Sequence, residues 1–234
     1  MITTILFDLD GTLLPMDQDL FLKAYIGGLV KTASTLGYDP ETMKNAIMSG
    51  TFAMINNDGT RTNEDAFWDV LKGVFGETIM DDYHMFDEFY RTDFQKIKDV
   101  CGFDRRAKEI IECVKNRRLK AALATNPMFP VIATESRIRW AGLEPNDFEF
   151  FTSYETSRYS KPNLDYYREV ASRLGVEPSE CLMVGNDVGD DMIAEKLGMK
   201  VFLLTDCLIN KNNEDIAKYP HGSFDDLKTY IETV

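Results

Sequence analysis

The sequence is poor in the residues on which several common chemistries depend. Among 234 residues there are 2 histidines and 4 cysteines. His84 and His221 stand in no metal-ligand spacing, and no G-x-S-x-G elbow is present, so zinc and serine-hydrolase chemistry find no footing. Cys101, Cys113, Cys181 and Cys207 form no C-x-x-C pair and read as small apolar residues within predicted strands and helices. No apolar run approaches the ~20 residues of a membrane span, and the start lacks a basic stretch followed by an apolar one and a small-residue cleavage site. A cytoplasmic protein with no membrane partner is expected. Basic residues are also scarce: 26 Lys and Arg stand against 39 Asp and Glu, for a net charge of −13. A polyanion such as DNA is therefore not expected as a partner, because neutralising phosphates takes clustered cations. The short runs Asp104-Arg105-Arg106 and Lys115-Asn116-Arg117-Arg118 read as a solvated helix face.

What is present is a regular alternation. The stretches 3–10, 120–126, 148–153, 181–187 and 200–206 are near-continuous apolar runs that end in polar residues, as parallel strands buried on both faces require. Amphipathic segments lie between them, at 104–117, 129–141, 165–174 and 190–197. Strand and helix in turn predict a doubly wound, Rossmann-like α/β sheet with its ligands outside the carboxyl ends of the strands.

Residues 16–98 break this rhythm. Leu20, Tyr25, Leu29, Met43, Ile47, Phe67 and Leu71 fall at helical spacings and no strand candidate appears, so several helices are expected as an insertion after the first strand. The expected organisation is a core of residues 1–15 and 99–234 with a helical domain at 16–98. Thr62 with Asp65 three residues on signals a capping box. The stretch NNDGT at 56–60 has a superficial likeness to a calcium loop, but Met54 occupies the place of the first acidic ligand, and a turn is the better reading.

The strand that opens the chain ends in FDLDGTLL. Alternation along the strand puts Asp8 and Asp10 on one side, and Gly11 lets the chain turn sharply beneath whatever binds there. Two carboxylates held together raise each other's pKa unless a cation neutralises them, so the pair suits a metal, a nucleophile with an acid, or both. The other predicted strands end in chemistry too. Thr125 and Asn126 close the second, Lys161 follows the third, and Asn186, Asp187, Asp190 and Asp191 follow the fourth. All should converge on one edge of the sheet.

With DLDGTLL, the Thr of ATN, the Lys of SKPN and the acidic GNDVGDD in that order, the chain resembles the haloacid dehalogenase superfamily of Asp-nucleophile hydrolases. The resemblance spans the whole chain and implies that residues 16–98 form a helical cap. It implies a phosphatase acting on a small phosphorylated metabolite: Asp8 the nucleophile that becomes an aspartyl phosphate, Asp10 the acid and later the base. Thr125, the Asn126 backbone N–H and Lys161 would hold the phosphoryl oxygens, and Lys161 would also balance the charge of the acids. Mg2+ is the implied cofactor, held by Asp8, the Asp10 carbonyl, and Asn186 or Asp187, with Asp191 behind them. By the same resemblance, dehalogenase members lack an acid at the place of Asp10, which favours phosphoester chemistry. A phosphomutase, or a catalytically idle binding protein of the same fold, remains open. The resemblance commonly puts Asp where this chain has Asn186, so two registers are possible for the metal ligand, and charge alone favours Asp187. Which of Met16, Asp17, Phe21, Tyr25, Phe52 and Met54 face the site is not legible from periodicity, and neither are the substrate and the oligomeric state.

Overall fold

The computed structural model describes residues 1–233. Five parallel strands form one sheet in the order β2-β1-β3-β4-β5. They are β1 (Thr4–Phe7), β2 (Lys120–Leu123), β3 (Cys181–Gly185), β4 (Lys200–Leu204) and the two-residue β5 (His221–Gly222). Thr4 of β1 pairs with Lys120 on one side and with Cys181 on the other. The chain therefore leaves β1 toward β2 in one direction and builds β3, β4 and β5 in the other. The carboxyl end of β1 lies at this switch point, where an open α/β sheet leaves a crevice.

Alternation along β1 sends Ile5 and Phe7 to one side of the sheet and Leu6 to the other. Helices α5 (Arg106–Asn116), α6 (Val131–Trp140) and α8 (Phe224–Thr233) cover the first side, packing Ile110, Ile138 and Leu227 into the same core as Phe7. Helix α7 (Leu164–Leu174) and a short 3-10 stretch at Met192–Leu197 cover the second with Tyr166, Val170 and Met192.

Between β1 and α5 run α1 (Gln18–Thr35), α2 (Pro40–Ile55), α3 (Asn63–Phe75) and α4 (Tyr83–Arg91), with 3-10 stretches on either side of α4. The side chains of Asp17, Asp39 and Thr62 accept the free N–H groups at the starts of the first three. Thr62 and Asp65 form the expected capping box. At 58–60 the chain makes a turn in which Asp58 accepts from the Thr60 N–H.

Two departures from the sequence reading concern the sheet edges. The stretch 148–153 is no strand of the ladder. It lies beside β2 through a single parallel bridge, Phe151 to Leu123, with three backbone hydrogen bonds of 2.8–3.1 Å. At the other edge β5 was not foreseen, since two residues are too few for a hydrophobic period to register. The segment expected as a helix at 190–197 is 3-10 and begins at Met192.

Candidate active site

Tight turns after β1 and β3 bring polar strand ends together. After β1 the amides of Thr12 and Leu14 both donate to the Leu9 carbonyl, closing a reversal at Gly11. Gly11 has φ +86°, and a Cβ there would lie 2.4 Å from the Asn186 amide nitrogen, so no other residue fits under the β3 loop. Gly185 has the same use at the end of β3, where a Cβ would lie 2.1 Å from Asp191 Oδ2. That close approach lets the Asp191 carboxylate fold back under its own strand.

Asp8 is 7% exposed at the centre of the site. Lys161 Nζ donates to Asp8 Oδ1 at 2.8 Å and to Asp191 Oδ1 at 2.6 Å, and the lysine side chain is only 2% exposed. Burial disfavours the charged form of this lysine, but the two carboxylates outweigh it and hold its pKa well above the ordinary value. Burial pushes the Asp191 carboxyl up, and the Lys161 ammonium pulls against it. A neutral lysine would leave the two buried carboxyl groups without a counter-charge, so Lys161 stands between them as the ammonium. The Thr12 hydroxyl lies 3.2 Å from Asp8 Oδ2 and 2.9 Å from Asn186 Oδ1, and its one proton serves either.

Asp10 has a partner the sequence did not announce. Arg137 on α6 is fully buried and forms an ion pair with Asp10 Oδ2 through Nη1, while its guanidinium lies 4.2 Å from the centre of the Phe129 ring. The other oxygen, Asp10 Oδ1, is buried without a hydrogen-bond partner. Burial raises the Asp10 pKa, Arg137 lowers it and the Asp8 charge raises it, with the balance upward. No sequence signal singled out Arg137: the spacing by four of Ala133, Arg137 and Ala141 becomes informative only once both alanines are seen to be buried.

The remaining motif residues line the same cavity of 410 Å³ with Asp8, Asp10 and Lys161: Thr125, Asn126, Asn186, Asp187, Asp190 and Asp191. The Thr125 carbonyl is fixed by the hydroxyls of Thr152 at 2.6 Å and Tyr166 at 2.8 Å. Asn126 Oδ1 accepts from the Lys161 amide at 3.2 Å, which ties the end of β2 to the loop that carries Lys161. Asn186 is committed at both ends, with Nδ2 donating to the Cys207 carbonyl at 2.7 Å. Asp187 Oδ1 turns toward its own loop and accepts the amides of Gly189 and Asp190. Burial, together with the nearby charges of Asp187 and Asp8, raises the Asp190 carboxyl. Lys211, which the sequence did not single out, reaches the rim. His84 and His221 are exposed and lie outside this cavity, each with Nδ1 against a backbone carbonyl.

The family description haloacid dehalogenase-like hydrolase matches residues 2–198. The chain belongs to this family. Among solved structures, a HAD phosphatase from Thermococcus onnurineus superposes with a TM-score of 0.60 at 17% identity, over 98% of each chain. The L-2-haloacid dehalogenase of Xanthobacter autotrophicus superposes at 0.58 with 17% identity over 99% of each. At such identities the likeness speaks for the fold. A putative phosphatase of Bacillus subtilis, YhcW, is 29% identical over 94 residues, 40% of this chain and 41% of that protein. The chain spans less than half the length of the curated relatives it matches.

The donor set bears on the magnesium that this family uses. Among the described residues no three His, Cys, Asp or Glu side chains stand together as a ready metal cage. The cavity nonetheless gathers five carboxylates, those of Asp8, Asp10, Asp187, Asp190 and Asp191, against Lys161 and Lys211 within it and Arg137 behind it. This excess of negative charge, with oxygens from carboxylate, amide and backbone, fits a hard cation that keeps some of its waters.

Proposed function

We propose that the protein is a magnesium-dependent phosphatase that hydrolyses a small phosphomonoester through an aspartyl phosphate on Asp8. The reading rests above all on Asp8: a carboxylate at the switch point of the sheet, held by Lys161 and Thr12 on the floor of a cavity where Asp10 and Thr125 also stand. An Asp8 oxygen attacks phosphorus, and the phosphorus–oxygen bond to the leaving group breaks. Asp10, its pKa raised by burial, gives its proton to the departing oxygen. The ionised Asp10 then takes a proton from a water that attacks the aspartyl phosphate, releasing phosphate and restoring Asp8.

The Thr125 hydroxyl has no hydrogen-bond partner among the described residues, and the same holds for the Asn126 backbone N–H, so both are available to phosphoryl oxygens. Lys161 offsets the charge of the phosphoryl group while Asp191 keeps its ammonium in place. Asp8, the Asp10 carbonyl and Asn186 would hold magnesium with Asp187 nearby, and the bound cation would supply charge neutralisation for the transferring group. Asp10 favours phosphoester over carbon–halogen substrates, because a leaving alcohol needs a proton and a leaving halide does not. Residues 16–98 are read as a cap over residues 1–15 and 99–234, and four free thiols suit a reducing compartment such as the cytoplasm.

Release of p-nitrophenolate from its phosphate ester, with and without magnesium, tests this reading. Native protein should turn over with the metal, and Asp8→Asn should lose roughly 10³-fold or more in rate while keeping its fold. Undiminished turnover by the variant would overturn the mechanism, and no turnover by native protein would favour a binding role.

A further inference from the structure

Away from its carboxylate floor, the cavity changes character. The wall contributed by the helical segment consists of Met16, Gln18, Phe21, Leu22, Thr51 and Ile55, with no charged side chain. Met128 and Phe129 face it from the sheet side. Past Leu22, Thr51, Met128 and Phe129, which border both spaces, lies an adjoining pocket of 110 Å³ walled by Tyr25, Ile26, Met54 and Phe67. Most of its polar atoms are already engaged, the Tyr154 hydroxyl apart. The hydroxyls of Tyr25 and Tyr90 bond each other at 2.9 Å, and Thr51 donates to the Ile47 carbonyl. Burial pushes the Tyr25 hydroxyl up to about 12, so it carries no charge there. At the entrance Leu22 is 44% and Ile55 39% exposed, an apolar rim left in water.

A polyhydroxylated leaving group in this space would bury more hydroxyls than the Gln18 amide and the Tyr154 hydroxyl can serve, and one bearing a carboxylate would meet no cation on the helical wall. Hydrocarbon meets neither penalty and removes apolar surface from water on both sides. Resting on the phosphatase reading for the phosphate end, we propose that the substrate is a phosphomonoester of an apolar alcohol, alkyl or aryl and of butyl length or more. Its hydrocarbon runs along Leu22 and Phe129 toward the pocket beneath Tyr25 and Met54.

Alkylphosphonates separate this proposal from the reaction, because their phosphorus–carbon bond survives attack and binding alone is read. Calorimetric titration of native protein with methyl-, butyl- and hexylphosphonate, in magnesium, should show Kd falling roughly threefold per added methylene up to butyl. Leu22→Asp, on the half-exposed rim, should flatten that series. A Kd that stays level or rises with chain length overturns the proposal, and so does the absence of binding by all three or tighter binding of a sugar phosphonate than of hexylphosphonate. The phosphatase reading stands or falls separately, on phosphate release from p-nitrophenyl phosphate.

Discussion

At Asp10 one carboxyl oxygen takes the Arg137 guanidinium and the other has no partner. The pair is held in place by burial on the α6 side, where Arg137 also packs on Phe129 and donates to the Ala133 carbonyl at 3.3 Å. Removing one member of a buried ion pair leaves the other uncompensated. Arg137→Met should therefore lower stability by about 3 kcal/mol, with most of the loss recovered when Asp10→Asn is added, as urea unfolding of the two single variants and the double would read. Additive losses would show that Arg137 acts through packing alone. A second prediction concerns the metal. Charge favoured Asp187, but its carboxylate is turned into its own loop, whereas Asn186 sits over Gly11 within reach of the Thr12 hydroxyl that also approaches Asp8. One lone pair of the Asn186 oxygen remains beyond the Thr12 bond. Magnesium affinity should then fall by roughly tenfold or more in Asn186→Ala, and by less in Asp187→Ala. Isothermal titration of the two variants with magnesium decides between them, and the reverse order would restore the charge argument.

Among the elements, α3 carries the most information. Its capping box fixes where it begins, and its first turn carries Glu64, whose amide donates to the Tyr154 carbonyl and whose carboxylate accepts from the Tyr83 hydroxyl at 3.1 Å. Burial raises the Glu64 pKa, and the Tyr83 bond only partly offsets it. A raised carboxyl pKa favours the protonated form in the folded state. That contribution is fully present below the unfolded value and is lost as pH rises from there through the folded value. Glu64→Gln removes the titration, so the variant should gain stability relative to native protein between about pH 4 and pH 8. Chemical unfolding at both ends of that window measures the difference, and a gap independent of pH would mean that Glu64 ionises as freely in the fold as outside it.

On the scale of the whole molecule, the seam between the helical segment and the sheet domain is the feature on which turnover would depend. The two crossings lie side by side: the Gly102 amide donates to the Pro15 carbonyl at 2.7 Å, and Met16 bridges Cys101. Proline and glycine there suit a hinge. Across the seam, however, Asn63 Nδ2 donates to the Pro127 carbonyl and to Ser160 Oγ, both at 3.1 Å, and Ser160 Oγ donates to the Met54 carbonyl. These bonds are buried and lie next to Lys161. A rigid-body opening has to break them, so Asn63→Ala should speed hydrogen exchange in residues 154–160 and raise KM more than it lowers kcat. Unchanged exchange in that loop would assign the closure to the aromatic contacts of Tyr25 and Phe129 instead.

The amino-acid order by itself determined the parallel α/β sheet, the helical insertion, the strand ends that carry Asp8, Asp10, Thr125 and the acidic loop, and the short motif that carries Lys161. Each of these is written in a local period or a short motif, and strands buried on both faces must end in polar residues where a crevice opens. Tertiary structure alone decided the rest. Arg137 reaches Asp10 across 127 residues of chain, and no local pattern ranks that arginine above Arg139, which pairs with Glu135 at the surface. The stretch 148–153 has the composition of a buried strand, yet at the edge of the sheet it finds only one bridge. Among the residues whose orientation periodicity left open, Met16 and Phe21 line the carboxylate cavity, Tyr25 and Met54 wall the pocket beside it, Asp17 caps α1 and Phe52 stands 67% exposed. An apolar residue follows one pattern whether it is buried by its own domain or by a substrate, and only the packing of two bodies against each other separates the two.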